Sequence, residues 1–290
     1  VSTRYWRALD ALTAAVSSRL VDPAVQDRLE RVPARLNDLG YDPWGFSPRV
    51  AASWYSVAAW IYRHWFRVEV QGIEKIPDGR VLLIANHGGQ VAWDGLLLTV
   101  AVLLERAKPR LARGMGERFI TNTPFLSSYA ARAGHVLGDP ENCKRLLEHD
   151  EAIMVFPEGV RGISKTIWER YELREFGSGF VRLAIATGTP VVPIGIVGTE
   201  EAMPGIWDAR PIAKMFNLPS LPVTPFFPFL GPLGALPLPT KVRIIIDDPI
   251  RLDGEVEEPE EEARKKAELV RARVQGLVRL GLEQRKGIFS

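Results

Sequence analysis

Cysteine is almost missing from this 290-residue chain, which has one, Cys143. A lone thiol closes no internal disulfide and excludes a Cys-rich metal site, in keeping with a reducing compartment. His135, Cys143 and His149 have no zinc-ligand spacing, so a helix-packed Cys143 is expected. Excess charge is missing too. Lys and Arg number 37 against 35 Asp and Glu, a net +2. That field is too weak for a general nucleic-acid footprint. There is no Gly-x-Ser-x-Gly elbow, because Phe176-Gly177-Ser178-Gly179-Phe180 does not fit it, and no Gly-Lys-Ser/Thr phosphate loop. No stretch reads as a plain membrane span, which needs about 20 mostly apolar residues. Residues 50–62 and 96–104 are too short, and 218–239 carries seven prolines, which exclude a continuous helix. The first residue is Val1, which leaves a preceding targeting segment open.

What remains is the composition of a folded protein, 46% hydrophobic and 25% charged. The length suits one large core or two unequal domains. Residues 1–38 place Trp6, Leu9, Leu12, Val16, Leu20, Val25 and Leu29 at helical spacing. Gly and Pro break the pattern over 39–48. A second helix is expected over 49–66, apolar nearly all round, with Trp54, Trp60 and Trp65 and the cations Arg63, His64 and Arg67 at its end. Such a helix either lies at a membrane interface or buries both faces in a core. From 68 onward strands alternate with helices. Strands are expected at 68–71, 80–85, 135–137, 152–156, 191–197 and 242–246, mostly continuous apolar runs suited to burial on both faces. Helices are expected near 93–106, 140–149 and 177–187, the second capped by Asp139 ahead of Pro140. The alternation predicts an α/β core over 68–290 behind an N-terminal helical region, 1–67. A last helix follows the acidic cluster 255–262 and packs through Ala263, Ala267, Val270, Val274 and Leu277.

Two segments carry candidate chemistry. Asn86-His87-Gly88-Gly89 directly follows the strand at 80–85, with Trp93-Asp94-Gly95 beyond it. A histidine at the end of a buried strand sits where α/β folds place active sites. The glycines permit close backbone approach, and a nearby carboxylate orients an imidazole that works as a base. Phe156-Pro157-Glu158-Gly159-Val160-Arg161-Gly162 follows the strand at 152–156. There an arginine can hold phosphate through paired N–H donors, while Glu158 either pairs with Arg161 or accepts from a substrate hydroxyl.

Together the two segments resemble the glycerolipid acyltransferase family, which includes lysophosphatidic acid acyltransferases. Its first motif is Asn-His followed by Asp, and its third is Phe-Pro-Glu-Gly-Thr-Arg, matched by Phe156 to Arg161 with Val160 in place of Thr. Its fourth, a proline-bounded strand, is matched by Thr189-Pro190-Val191-Val192-Pro193-Ile194. The motifs stand in the family's order over about residues 68–250. Two features depart from the pattern. The family places four residues between His and Asp; here there are six, and Ala92 holds the usual Asp position. In one continuous helix His87 and Asp94 would lie about 10.5 Å apart along the axis, so their meeting requires the chain to loop back. The second motif's arginine is missing from Gly134–Pro140, leaving Arg132, Lys144 and Lys165 as substitutes. The His87-Gly88-Gly89-Gln90 spelling is similar to the branch nearer diacylglycerol and phytyl-ester acyltransferases.

The resemblance implies a mixed sheet flanked by helices, like glycerol-phosphate acyltransferases. It implies His87 as catalytic base, Asp94 as its partner, and substrate binding by Asn86, Gly88, Gly89, Glu158, Gly159 and Arg161. The implied reaction moves a fatty acyl group from acyl-CoA or acyl carrier protein to a glycerolipid hydroxyl, lysophospholipid favoured, with no metal or cofactor. The alternatives are a mono- or diacylglycerol acceptor, or a lipid-binding protein on the same fold with little activity. The expected partner is membrane lipid, bound peripherally on the cytoplasmic face. Residues 204–239, with Ile206, Trp207, Phe216, Phe226, Phe227 and Phe229 among prolines, form either a cover over an acyl tunnel, a lipid-dipping loop, or a stiff lid on the core.

Overall fold

The computed structural model describes residues 21–116, 130–207, 223–227 and 229–290. Seven strands form one sheet in the order β1-β7-β6-β2-β5-β3-β4. They are β1 (Glu69–Gln71), β2 (Val81–Ala85), β3 (Ala112–Gly116), β4 (Val136–Leu137), β5 (Ala152–Val155), β6 (Val191–Val197) and β7 (Arg243–Ile246). Neighbours pair in parallel except β6 with β7, so the sheet is mixed and the α/β expectation holds. β2 lies centrally, with β5 on one side and β6 on the other.

The apolar runs explain the layering. Side chains of a strand point alternately to opposite faces, so a run with no polar gaps must be covered twice. Val81, Leu83 and Ala85 of β2 join one core with α2 (Pro48–Trp60) and α3 (Trp93–Leu104). Leu82 and Ile84 join the other with α4 (Pro140–Glu148), α6 (Gly179–Thr187) and the long α8 (Glu260–Gln284). Helix α8 buries Ala263, Ala267, Val270, Val274 and Val278, one stripe at helical spacing. Asp139 caps α4 as expected, accepting from the amides of Glu141 and Asn142 at 3.0 Å. Cys143 is buried in that helix. Val25 and Leu29 of α1 (Pro23–Glu30) share the first core with α2.

Three sequence expectations change. Strand β3 has the sequence Ala-Arg-Gly-Met-Gly, which carries no apolar run. It is buried because Arg113 finds Asp42 at 2.5 Å and Glu151 at 3.0 Å, with Trp44 and Phe46 beside its guanidinium. The helix expected over 49–66 is α-helical over Pro48–Trp60 and closes with a π turn, Ile61–Trp65. Its two faces also differ: Ala51, Ala52, Tyr55, Ala58 and Ala59 are buried, whereas Val57 and Trp60 are exposed. Burial of both faces therefore does not apply. Of the helical pattern expected over residues 1–38, positions 1–20 lie outside the described residues, as do positions 208–222 with Phe216, and Pro23–Glu30 is helical. No described helix is long and apolar enough to cross a membrane.

Candidate active site

Strands β2, β5 and β6 run parallel, so their carboxyl ends open on the same edge of the sheet. His87 follows β2, Glu158 follows β5, and Glu200 lies in a short turn of helix, α7 (Thr199–Ala202), that follows β6. Open α/β sheets bind ligands outside such strand ends.

The chain after β2 loops back instead of starting a helix. Gly89 takes φ +83° and Gln90 φ +42°, both in the left-handed region, so the backbone reverses before α3 begins at Trp93. The turn brings Asp94 to His87, with 2.7 Å between His87 Nδ1 and Asp94 Oδ2. The six-residue spacing therefore does not separate the pair. Asp94 is fully buried and held on three sides. Its Oδ2 also accepts from the Gly88 amide at 2.9 Å, and its Oδ1 from the Gly95 amide at 2.7 Å. Its place in the first turn of α3 adds the favourable end of the helix dipole. A carboxylate on Nδ1 fixes the tautomer and leaves the Nε2 lone pair free to take a proton. The imidazole stacks on Phe156, centroids 4.3 Å apart. Gly162 packs against His87 so closely that a Cβ there would lie 2.7 Å from the His87 Cβ.

The other expected site residues divide into buried supports and exposed groups. Asn86 is fully buried, its amide clamped to β6. Its Nδ2 donates to the Ile196 carbonyl at 2.9 Å and its Oδ1 accepts from the Ile196 amide at 2.7 Å. Glu158 does not pair with Arg161. Its Oε1 accepts from the His87 amide at 2.9 Å, its Oε2 from the Arg174 amide at 2.8 Å, and its cation is Lys165 at 3.4 Å. The cause is its direction: Glu158 turns inward beneath the loop while Arg161 lies on the surface and donates to the Glu175 carbonyl at 3.1 Å. Gly159 makes the turn between them at φ +58°, ahead of the short helix α5 (Val160–Ile163). Of the cations considered for the missing second-motif arginine, Lys165 is buried between two carboxylates, and Arg132 and Lys144 are exposed. Glu200 was not singled out in the sequence. Burial pushes its carboxyl up to about 7, against the opposing pull of Lys165. Its signal was the acidic pair Glu200-Glu201, separated by only two residues from a fully buried strand. Among the described residues no group of His, Cys, Asp and Glu is placed to hold a metal ion.

Residues 67–197 match the acyltransferase family. The acyltransferase match covers β2, β5 and β6 and so contains His87, Asp94 and Glu158. Among curated proteins, an uncharacterized protein of Mycobacterium tuberculosis is 41% identical over 216 residues, 73% of this chain and 60% of that one. A Mus musculus protein named DGAT1/2-independent enzyme synthesizing storage lipids is 26% identical over 240 residues, 81% of this chain and 65% of its own. The chain thus spans less than two thirds of the length of these relatives. The crystal structure of the 1-acyl-sn-glycerophosphate (LPA) acyltransferase PlsC from Thermotoga maritima aligns with a TM-score of 0.51 at 21% identity, covering 81% of this chain and 83% of that one. At that identity the likeness is one of fold, and it agrees with the acyltransferase match.

Proposed function

We propose that this chain is an O-acyltransferase that moves a fatty acyl group from a thioester, acyl-CoA or acyl carrier protein, to a glycerolipid hydroxyl. The observation that carries the reading is the 2.7 Å contact between His87 and Asp94 at the carboxyl end of β2, inside the acyltransferase match. His87 Nε2 takes the proton of the acceptor hydroxyl as its oxygen attacks the thioester carbonyl. The C–S bond then breaks, the thiolate leaves, and the proton on His87 passes to that sulfur. The products are an ester and a free thiol. Asp94 holds the imidazole and stabilises its protonated form. The resident groups would need no metal or cofactor. Backbone amides near the loop would stabilise the oxyanion, but those of His87 and Gly88 are already bound to Glu158 and Asp94.

A lysophospholipid acceptor is the favoured reading, supported by the fold shared with the LPA acyltransferase and by exposed Arg161, the neighbour of the Gly162 that packs on His87. In that reading Gly88, Gly89 and Gly159 let the substrate approach the backbone. A mono- or diacylglycerol acceptor is the second reading, supported by the relative named for storage-lipid synthesis. Attachment to membrane lipid, peripheral and on the cytoplasmic side, completes the proposal. Exposed Trp60 and Phe229 support contact with lipid.

The test is a labelled acyl-CoA assay against lysophospholipids, monoacylglycerols and diacylglycerols. His87→Ala is expected to lose about 10²–10⁴ in rate, the usual worth of a general base, with its melting temperature retained. Near-normal activity in that variant would sink the reading, and transfer to no acceptor by the unaltered protein would leave a lipid-binding role. Arg161→Ala is expected to slow phosphorylated acceptors more than neutral ones.

A further inference from the structure

We propose that Lys165 is a positioning residue for the His87–Gln90 loop, joining Glu158 and Glu200 into one buried support. The proposal rests on the reading of His87 as the base. The Lys165 ammonium lies 3.4 Å from Glu158 Oε2 and 3.0 Å from Glu200 Oε1. All three side chains are almost fully buried, at 2%, 0% and 4% exposed. Each of the three residues touches a different residue of the loop, Lys165 through its backbone. Glu158 accepts from the His87 amide at 2.9 Å. The stem of Glu200 packs on Gly88 so closely that a Cβ there would displace the Glu200 side chain. The Lys165 carbonyl accepts from Gln90 Nε2 at 3.1 Å.

The opposite side of the support is also fixed. Glu158 takes the Arg174 amide at 2.8 Å, Glu200 takes the Tyr171 amide at 3.0 Å, and the ammonium reaches the Glu172 carbonyl at 3.4 Å. The segment from 165 to 174 therefore braces the loop through one cation and two carboxylates. A stability role alone is a weak explanation, because a buried ion pair is often no better than an apolar replacement. The arrangement instead fixes geometry. Gln90 holds φ +42°, a strained value for a residue with a Cβ, and such strain persists only where the surroundings impose it. Removing the ammonium leaves two buried carboxyl groups sharing one site, so Glu200 takes up a proton, and the changed hydrogen bonding of the pair acts on the backbone of His87 and Gly88.

The test compares Lys165→Met, the double variant Lys165→Met/Glu200→Gln, and His87→Ala at pH 8, reading kcat, KM and melting temperature in the full chain. A displaced base costs roughly 10²-fold per ångström, so Lys165→Met is expected to lower kcat by about 10² while KM stays within about threefold. The double variant is neutral at position 200, as the single variant is once Glu200 is protonated, and is expected to match the single variant's kcat within about threefold. If the single variant does not fold, the double variant carries the test alone. A folded Lys165 variant with unaltered kcat, a loss confined to KM, or a double variant restored to the kcat of the unaltered protein would each overturn the proposal. Should His87→Ala keep its activity, the acyl-transfer reading fails; should it be inactive while the Lys165 variants are unaffected, only the positioning role fails.

Discussion

At the residue scale the site depends on one hydrogen bond whose existence the spacing of His87 and Asp94 does not reveal. Asp94→Asn keeps the size of the side chain, but its amide nitrogen can donate to Nδ1 and so favour the wrong tautomer. A rate loss of roughly 10²–10⁴ is expected in the acyl-transfer assay, with little change in melting temperature. A loss under about tenfold would show that the base does not need this partner. Glu200 gives a pH-linked expectation. Its folded value of about 7 lies above the ordinary 4.5, because burial disfavours its charge. A raised carboxylate binds more proton when folded, so its contribution to stability is full below about 4.5 and is lost as pH rises through 7. Melting temperature measured from pH 5 to pH 8 should fall less steeply in Glu200→Gln than in the unaltered protein. Parallel curves would refute the shift.

At the element scale, apolar runs made most strands visible. Val81–Ala85 and Val191–Val197 are buried along their whole length, and their composition says so. Strand β3 was not visible, because its burial depends on partners far away in sequence. Arg113 is 1% exposed only because Asp42 and Glu151 meet it there. Arg113→Ala leaves those carboxylates unpaired and is expected to destabilise the fold by about 3–5 kcal/mol, read by urea denaturation. Helix α2 shows the limit of a pattern that is apolar all round: composition did not say which face meets the core, and packing decided it.

At the scale of the whole molecule, several large aromatic side chains stand exposed on the surface. Trp60 on α2 is 56% exposed and Phe229 is 82% exposed. If these faces meet lipid, Trp60→Ser and Phe229→Ser should each weaken binding to anionic phospholipid vesicles by roughly tenfold, the worth of partly withdrawing one large apolar side chain. Sedimentation with vesicles reads this, and unchanged binding in both variants would remove the lipid-surface proposal while leaving the chemistry of His87 intact.

The sequence by itself determined the α/β class, the two segments that carry the candidate chemistry, and the family resemblance, because local apolar runs and short motifs are properties of neighbouring residues. Only the tertiary structure decided who partners whom. Asp94 reaches His87 because the backbone reverses at Gly89 and Gln90. Glu158 takes Lys165 in place of Arg161 because it points inward at the end of β5. Glu200 joins them because β6 lies beside β2 in the sheet. That last grouping sets Glu200 against Gly88, residues 112 positions apart along the chain, and only the order of the strands brings them together.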